Sequence, residues 1–556
     1  MASTTSTAYD AVPYPSYPLP QTHPDRLATI AALFGMEPAP VERCRVLELG
    51  CGDGSNLIPM AMALPASEFS GVDLAARPIA EGRATAAALG LQNLTLRRLD
   101  VMRLSAAFGE FDFVIAHGLY SWVGPEVRDK LLAICRANLA PHGVAYVSYN
   151  AYPGGHLRQM VREMMLFHTR RGRAPRSVDG TGPAGMPGQA AGAGDPGEQI
   201  SQARDLVKVL AGSRAAPDVY GTFLQAELEW VLEHGDEYLF HDDLAAVNVP
   251  VYFTQFVEHA QAHGLQYLCE ADFFETQDHR YPSHVRAAVR AFAGDDVHLR
   301  EQYLDFLKCR RFRQTLLCHR ERALNRAPAP ERLRRFHCSS AARPVVAGPD
   351  APSAGVVEFR GPRGAAMQTD HAVAIAAIRH LGEIWPQAAS FDALLRVARQ
   401  RAAGEALPRS AGDSAGPGAD PDARALGEIL LATYAAGLVD LHCYPPRFVV
   451  APSERPLASP LARLEVQRRS VVTSLRHTSV GIDDALGQRL LQLLDGTRDR
   501  AALVDELARI LRAGPESRAT RGVNTPESPL DQALAALPDE LEANLAKLGR
   551  LALLVA

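Results

Sequence analysis

The chain has no Cys-x-x-Cys pair. Its eight cysteines (Cys44, Cys51, Cys135, Cys269, Cys309, Cys318, Cys338 and Cys443) stand singly along 556 residues. That scatter argues against a zinc ribbon and a dense disulfide framework, suits a reducing cytoplasm, and leaves no metal-ligand set to be read. No apolar run reaches the ~18 residues that a membrane span needs. Met1 to Tyr17 holds neither the basic stretch nor the apolar stretch of an export signal. A cytoplasmic protein with no membrane insertion is expected. Charge of one sign is lacking too: 58 Lys and Arg against 63 Asp and Glu leave a formal net charge of −5. Binding a polyanion through global charge is therefore disfavoured. Hydrophobic residues make up 47% and charged residues 22%, the balance of a globular protein. The length exceeds one hydrophobic core, so several domains of roughly 100–200 residues are expected.

Three Gly- and Pro-rich stretches punctuate the chain: Gly180–Glu198, Gly404–Pro421 and Gly514–Pro529. Such composition buries too little apolar surface to order itself. The division expected from it is a core over 1–170, a linker over 171–198, a helical region over 199–322, and two modules over 355–450 and 456–556. In the first block Arg45–Gly50, Phe69–Asp73, Leu94–Leu99, Phe111–His117 and Val144–Tyr149 read as strands. Helices are expected over Ser55–Leu64, Arg77–Leu89 and Glu126–Leu139. This alternation predicts an α/β fold with a doubly wound, Rossmann-like sheet that binds ligands beyond the carboxyl ends of its strands. Two later segments, Gly264–Glu270 and Phe312–Cys318, read as strands returning to that sheet, which would make Gln199–Ala246 a helical insertion.

The C-terminal third reads as a diverged repeat of three helices and a strand, in the manner of α+β winged-helix modules. The third helices are expected over Leu426–Leu441 and Leu541–Val555. They suit nucleic acid poorly: Leu426–Ala436 has no Lys or Arg, and Leu541–Arg550 has only Lys547 and Arg550. Packing or partner docking is the expected use.

The sharpest chemical signal is the stretch from Val46 to Asn56, VLELGCGDGSN. Gly50, Gly52 and Gly54 follow a buried strand and open a helix, letting backbone approach a ligand that a β-carbon would obstruct. A dinucleotide fingerprint wants its third glycine at 55, where Ser55 stands. Asp53 would also face a pyrophosphate, which is electrostatically poor. A ligand bearing an ammonium and a sulfonium, S-adenosylmethionine, welcomes Asp53 and Glu48 instead. Asp73 ends the next strand, placed to accept from ribose hydroxyls. Asp100 ends the one after, placed to accept from the adenine amino group with Val101 packing on the ring.

This order of motifs resembles the class I S-adenosylmethionine-dependent methyltransferases. Tyr9-Asp10-x-x-Pro13-Tyr14, Thr22-His23-Pro24, HGLYSWV over His117–Val123, SYNAYPG over Ser148–Gly154 and YLFHDD over Tyr238–Asp243 resemble bacterial members with a methyltransferase regulatory domain. That group includes rickettsial protein-lysine methyltransferases of outer-membrane proteins. The resemblance covers about Tyr9 to His319. It implies cofactor binding by Glu48, Gly50, Gly52, Gly54, Asn56, Asp73, Leu74, Asp100, Val101 and the backbone of His117, and a protein as substrate.

The loops after the fourth and fifth strands flank the transferable methyl in such a sheet. They carry the expected catalytic set His117, Tyr120, Trp122, Tyr149 and Asn150, with Tyr152 beside them. The aromatics would cage an ammonium by cation–π contact, and His117, Tyr120, Asp242 or Asp243 would relay its proton. The sequence does not choose among these. A nucleic-acid amine is disfavoured, because Asn150-Ala-Tyr-Pro follows the fifth strand where a base-flipping box follows the fourth. Lysine methylation of a protein is the preferred reading. A small-molecule methyltransferase and a cofactor-binding regulator without transferase activity are the alternatives, and a nicotinamide oxidoreductase is disfavoured by Asp53 and Ser55.

Overall fold

The computed structural model describes residues 7–170, 195–213, 218–345, 356–404, 420–513 and 529–556. Seven strands form the central sheet: β1 (Arg45–Leu49), β2 (Glu68–Asp73), β3 (Leu94–Arg98), β4 (Phe111–Ala116), β5 (Leu139–Asn150), β6 (Leu265–Glu270) and β7 (Phe312–His319). Their order is β3-β2-β1-β4-β5-β7-β6. The first five run parallel, and β7 lies antiparallel between β5 and β6, with Tyr146 opposite Leu316 and Tyr267 opposite Leu317. The two late strands read from the sequence thus complete the first sheet. Between β1 and β4 the order reverses, which opens the ligand crevice of doubly wound folds at the carboxyl ends of those strands.

The central strands β1, β4 and β5 are mostly buried because both faces are covered, whereas the edge strand β3 (LTLRR) buries only Leu96. Successive side chains alternate between faces. Val46, Phe113, Val144 and Tyr146 point to one face, Leu47, Val114, Ala145 and Val147 to the other. On the Val46 face lie α2 (Pro24–Leu33) and α3 (Leu57–Ala63), following a short α1 (Ala8–Ala11). Helix α4 (Ala76–Ala88) joins β2 to β3, and α5 (Pro125–Asn138) covers the opposite face with α10, described below.

The insertion between β5 and β6 begins with α6 (Gly155–Arg170). Helices α7 (Pro196–Ala211) and α8 (Val219–Glu233) pack on it around Val161, Met165, Val207 and Leu228. The short α9 (Asp236–Tyr238) runs into a π-turn over Leu239–Asp243 and then to α10 (Phe253–Ala262). The expected linker is shorter at its end than its composition suggests. Asp195 caps α7 by accepting from the Glu198 amide and Pro196 starts the helix, a local signal that overrides the surrounding glycines. Its remaining residues, 171–194, lie outside the described ones.

Helices α11 (Ser283–Ala293) and α12 (Val297–Lys308) lead into β7. There Arg313, wholly buried, meets Glu270 of β6 at 2.7 Å and Glu301 and Asp305 of α12 at 3.2 and 2.8 Å.

The two halves of the C-terminal third share one order of strand pairing. In the first unit β8 (His337–Ser339) pairs with β12 (Ala389–Ser390) and β13 (Asp440–His442), while β9 (Arg343–Pro344), β10 (Val357–Arg360) and β11 (Ala366–Thr369) form a separate antiparallel sheet. In the second, Leu457 bridges Asp495 and Ala458 bridges Leu554 in the same order. Strand β8 stands well before the expected boundary at 355; three residues without alternation gave it no sequence signature. The third helix of the first unit spans Pro421–Ala435, so it starts earlier than expected and does carry a cation, Arg424, bonded to Glu428. Its apolar face (Leu426, Leu430, Tyr434) is buried in a cluster continuous with the central sheet. In the second unit a hairpin of β14 (Val471–Thr473) and β15 (Ser479–Gly481) turns at His477. No helix among the described residues is long and apolar enough to cross a membrane.

Candidate active site

Gly50, Gly52 and Gly54 all sit at positive φ (+75°, +55° and +74°) in the turn between β1 and α3. A side chain is strained there, and a β-carbon on Gly54 would stand 2.9 Å from Leu96. The loop is pinned by Asp73, whose carboxylate accepts from the amides of Gly52 (2.9 Å) and Ala75 (2.8 Å). Burial raises the Asp73 pKa above the usual range, against those amide bonds. Leu74 follows with its side chain 52% exposed. Asp100 accepts from the Met102 amide at 2.9 Å, which places its carboxylate beside half-buried Val101. The glycine loop, Asp73, Leu74, Asp100 and Val101 therefore ring the carboxyl ends of β1, β2 and β3, as expected.

Glu48 is buried at the end of β1. Its Oε1 accepts from Asn56 at 2.8 Å, while Oε2 has no hydrogen-bond partner. Burial pushes its pKa up to about 8. An orphaned buried carboxylate oxygen beside an open glycine turn fits a cationic ligand group, such as the ammonium of an amino-acid tail.

Asn56 departs from its expected role. Its Nδ2 donates to Glu48 and Thr22, and its Oδ1 accepts from the Leu19 amide at 2.9 Å, the Thr22 hydroxyl at 3.3 Å and His477 Nε2 at 2.9 Å. Its hydrogen-bonding capacity is spent on protein, so it holds Glu48 in place and has none to offer a ligand.

The expected aromatic cage does not assemble. Tyr149 alternates to the α5 face of β5, where it stacks on Phe256 at 4.1 Å and bonds Thr315 at 3.1 Å. Tyr120 turns into the same cluster, packs edge-on against Phe256, and bonds His259 Nδ1 at 2.9 Å. Both are at most 3% exposed; the apolar area of two tyrosines is worth more inside than at a rim. Trp122 stays half-buried. Tyr152 stacks on His156 at 4.0 Å. His117 lies against Phe312, with Nδ1 3.0 Å from the Tyr146 hydroxyl, and burial drops its pKa to about 4. Its imidazole is neutral near pH 7 and too weakly basic to take an ammonium proton. Asn150 donates from Nδ2 to Asn248 at 2.9 Å.

A different aromatic group, overlooked by sequence reasoning, roofs the crevice. The segment after α9 crosses the carboxyl end of the sheet: Asn248 bonds Asn150, the Val249 amide donates to Ser121, and Val251 bridges Ala151. From the other side comes the N-terminal segment, tied to α4 by Asp10 accepting from the Arg77 amide. Where they meet, Tyr9 stacks on His241 at 4.3 Å, and Tyr14 stands edge-on to Tyr9 and Tyr238. The Tyr14 hydroxyl donates to Asp242 at 3.3 Å. Burial, then the Asp243 charge, push the Asp242 pKa up to about 7. Asp243 itself is held by Arg158 at 2.5 Å. Tyr9 stands near enough to Asp73 for that carboxylate to help raise its own pKa. The signal was present in the Tyr9–Tyr14 and Tyr238–Asp243 stretches, but their meeting is tertiary.

Comparison with known proteins agrees with this layout. Residues 46–143 match a methyltransferase domain, 235–319 the predicted methyltransferase regulatory domain, and 454–553 the PKMT C-terminal winged helix domain. An uncharacterized protein of Rickettsia prowazekii is 36% identical over 330 residues, 59% of this chain and 56% of that protein, so the match spans little more than half of that relative. A second protein of the same organism, also uncharacterized, is 34% identical over 46% of this chain and 95% of its own length. The structure of PKMT2 from Rickettsia typhi superposes with a TM-score of 0.78 and 26% identity, covering 98% of this chain and all of that one. The same protein has been solved in complex with AdoHcy, with equal similarity. The chain belongs to the class I S-adenosylmethionine-dependent methyltransferases that combine a regulatory domain with a PKMT-type C-terminal winged helix.

Proposed function

We propose that this chain transfers a methyl group from S-adenosylmethionine to lysine side chains of a protein substrate. The observation that carries the reading is the roof over the crevice: Tyr9, Tyr14 and Tyr238 around the half-buried carboxylate of Asp242. Tyrosine faces attract an ammonium, and the carboxylate accepts from it. PKMT2 of Rickettsia typhi, similar along its whole length, supports the same reading through its name.

The bound cofactor supplies an electrophilic methyl on a sulfonium, so the protein's main task is alignment. Glu48 Oε2 and the glycine turn hold the cationic tail, Asp73 the ribose hydroxyls, and Asp100 and Val101 the adenine. Leu74 covers the ring edge, and the His117 backbone lines the methyl side. Trp122 borders the acceptor groove. A free lysine has a pKa of ~10.4, so about one in a thousand is neutral near pH 7. Entry beneath the tyrosines strips water from the ammonium and lowers that value. Asp242, with its pKa at about 7, is half ionised near neutrality and receives the proton. Asp243 is committed to Arg158 and serves as its support.

The test is incubation of the purified chain with methyl-labelled cofactor and a bacterial lysate, separated into protein, nucleic acid and metabolites. Label on protein lysines is expected. Label confined to metabolites or nucleic acid would contradict the reading.

A further inference from the structure

Helix α10 presents two imidazoles one turn apart, His259 and its capping residue His263, at the i, i+4 spacing that puts both on one face. Both reach across to α5. His263 Nε2 lies 2.8 Å and His259 Nε2 3.5 Å from the same oxygen of Asp129, Oδ1. The three donor atoms all fall within 4.8 Å of one another, and the ring centroids stand 5.4 Å apart with their planes at 64°. Asp129 is 64% exposed, so water and ions reach the point of convergence. A single surface carboxylate gains roughly 0–1 kcal/mol from an exposed ion pair. That is little reason to converge two imidazoles on one oxygen.

An independent observation concerns the far side of His259. Its Nδ1 is 2.9 Å from the hydroxyl of Tyr120, and Tyr120 is itself fixed by Phe256 and Tyr149. Metal-ligating imidazoles are characteristically oriented this way, with one nitrogen anchored by a buried partner and the other aimed at the ion.

We propose that Asp129, His259 and His263 form a binding site for a divalent cation of the zinc class, joining α5 of the catalytic sheet to α10. Two imidazole nitrogens and one carboxylate oxygen make three of four tetrahedral ligands, and water supplies the fourth. Tetrahedral donors at about 2.0–2.2 Å from zinc stand about 3.3–3.6 Å apart, so the His263–Asp129 contact of 2.8 Å opens slightly on binding while the 3.5 Å His259–Asp129 contact already has that spacing. Binding places the His259 proton on Nδ1, which then donates to the Tyr120 oxygen. Tyr120 lies three residues beyond His117, so the ion steadies the loop that borders the methyl. The signal in the sequence was His259-Ala-Gln-Ala-His263, meaningful only once Asp129 is known to face it.

The experiment uses the full-length, tag-free, chelator-treated protein. It is titrated with Co²⁺ by visible absorption, then with competing Zn²⁺, and its thermal midpoint is followed with and without Zn²⁺. One equivalent is expected to bind with a tetrahedral cobalt spectrum, and Zn²⁺ is expected to raise the midpoint. Asp129→Asn, an exposed change that leaves the fold intact, is expected to weaken binding tenfold or more, as is His263→Ala, and both are expected to abolish the Zn²⁺-dependent gain. Absence of stoichiometric binding, or binding unchanged in Asp129→Asn, would overturn the proposal.

Discussion

At the scale of single residues, the glycine loop and the strand-end acids were legible because their chemistry is local. A strand, a positive-φ turn and a helix start occupy adjacent positions, and Asp73 and Asp100 follow at strand-to-strand spacing. Replacing Asp73 by Ala should weaken cofactor binding by about 1–3 kcal/mol, since charged acceptors for hydroxyls are lost. Calorimetric titration with S-adenosylmethionine checks this, and unchanged affinity would count against it. The tyrosine cage was misread for an equally local reason. Residue type says that Tyr120 and Tyr149 suit an ammonium, but period-two alternation and burial decide where they go. Tyr149→Phe should keep methylation within about twofold while costing about 1 kcal/mol of stability, because Thr315 loses one of its two partners and keeps only Glu270. A large loss of turnover at unchanged stability would restore Tyr149 to the site.

At the scale of elements, β6 and β7 were readable as short apolar runs. What the pattern did not reveal is how β7 is held. Arg313 stands among Glu270, Glu301 and Asp305 with no exposed surface and lies 3.9 Å over the Phe253 ring. Burial pulls the pKa values of Glu301 and Asp305 upward while the guanidinium pulls them down. Arg313→Met should cost about 3–5 kcal/mol, since it strands the buried Glu270 and Glu301 without a cation and leaves Asp305 only Arg310, at 2.6 Å. Urea denaturation measures it. A loss under about 1 kcal/mol would show that the acids are neutralised without Arg313. The helix starts missed at Asp195 and Asp420 share one cause, an Asp cap followed by proline inside glycine-rich surroundings.

At the scale of the whole molecule, the C-terminal unit uses its hairpin as a strut. His477, at φ +57°, is buried beside His23 at the start of α2 and donates to Asn56 at the start of α3, which in turn holds Glu48 and the N-terminal segment. A non-glycine residue kept in the left-handed region marks a contact that the surroundings enforce. His477→Ala should weaken cofactor binding by about 1 kcal/mol, and His477→Gln, which keeps a donor, should recover most of it. Equal affinity in both variants would make the strut a matter of packing alone. No sequence pattern could announce a bond between residues 421 positions apart. The proposed acceptor site has the same character, resting on the place where Tyr14 meets Asp242 across 228 positions. It is tested most directly by the pH dependence of kcat on a lysine-bearing protein substrate, at saturating cofactor, for the wild type and Asp242→Asn. Because the base acts ionised, wild-type turnover should climb as pH rises through about 7. The variant should turn over about 10²–10⁴ times more slowly and lose that limb. A variant with wild-type turnover and the same limb would contradict the account.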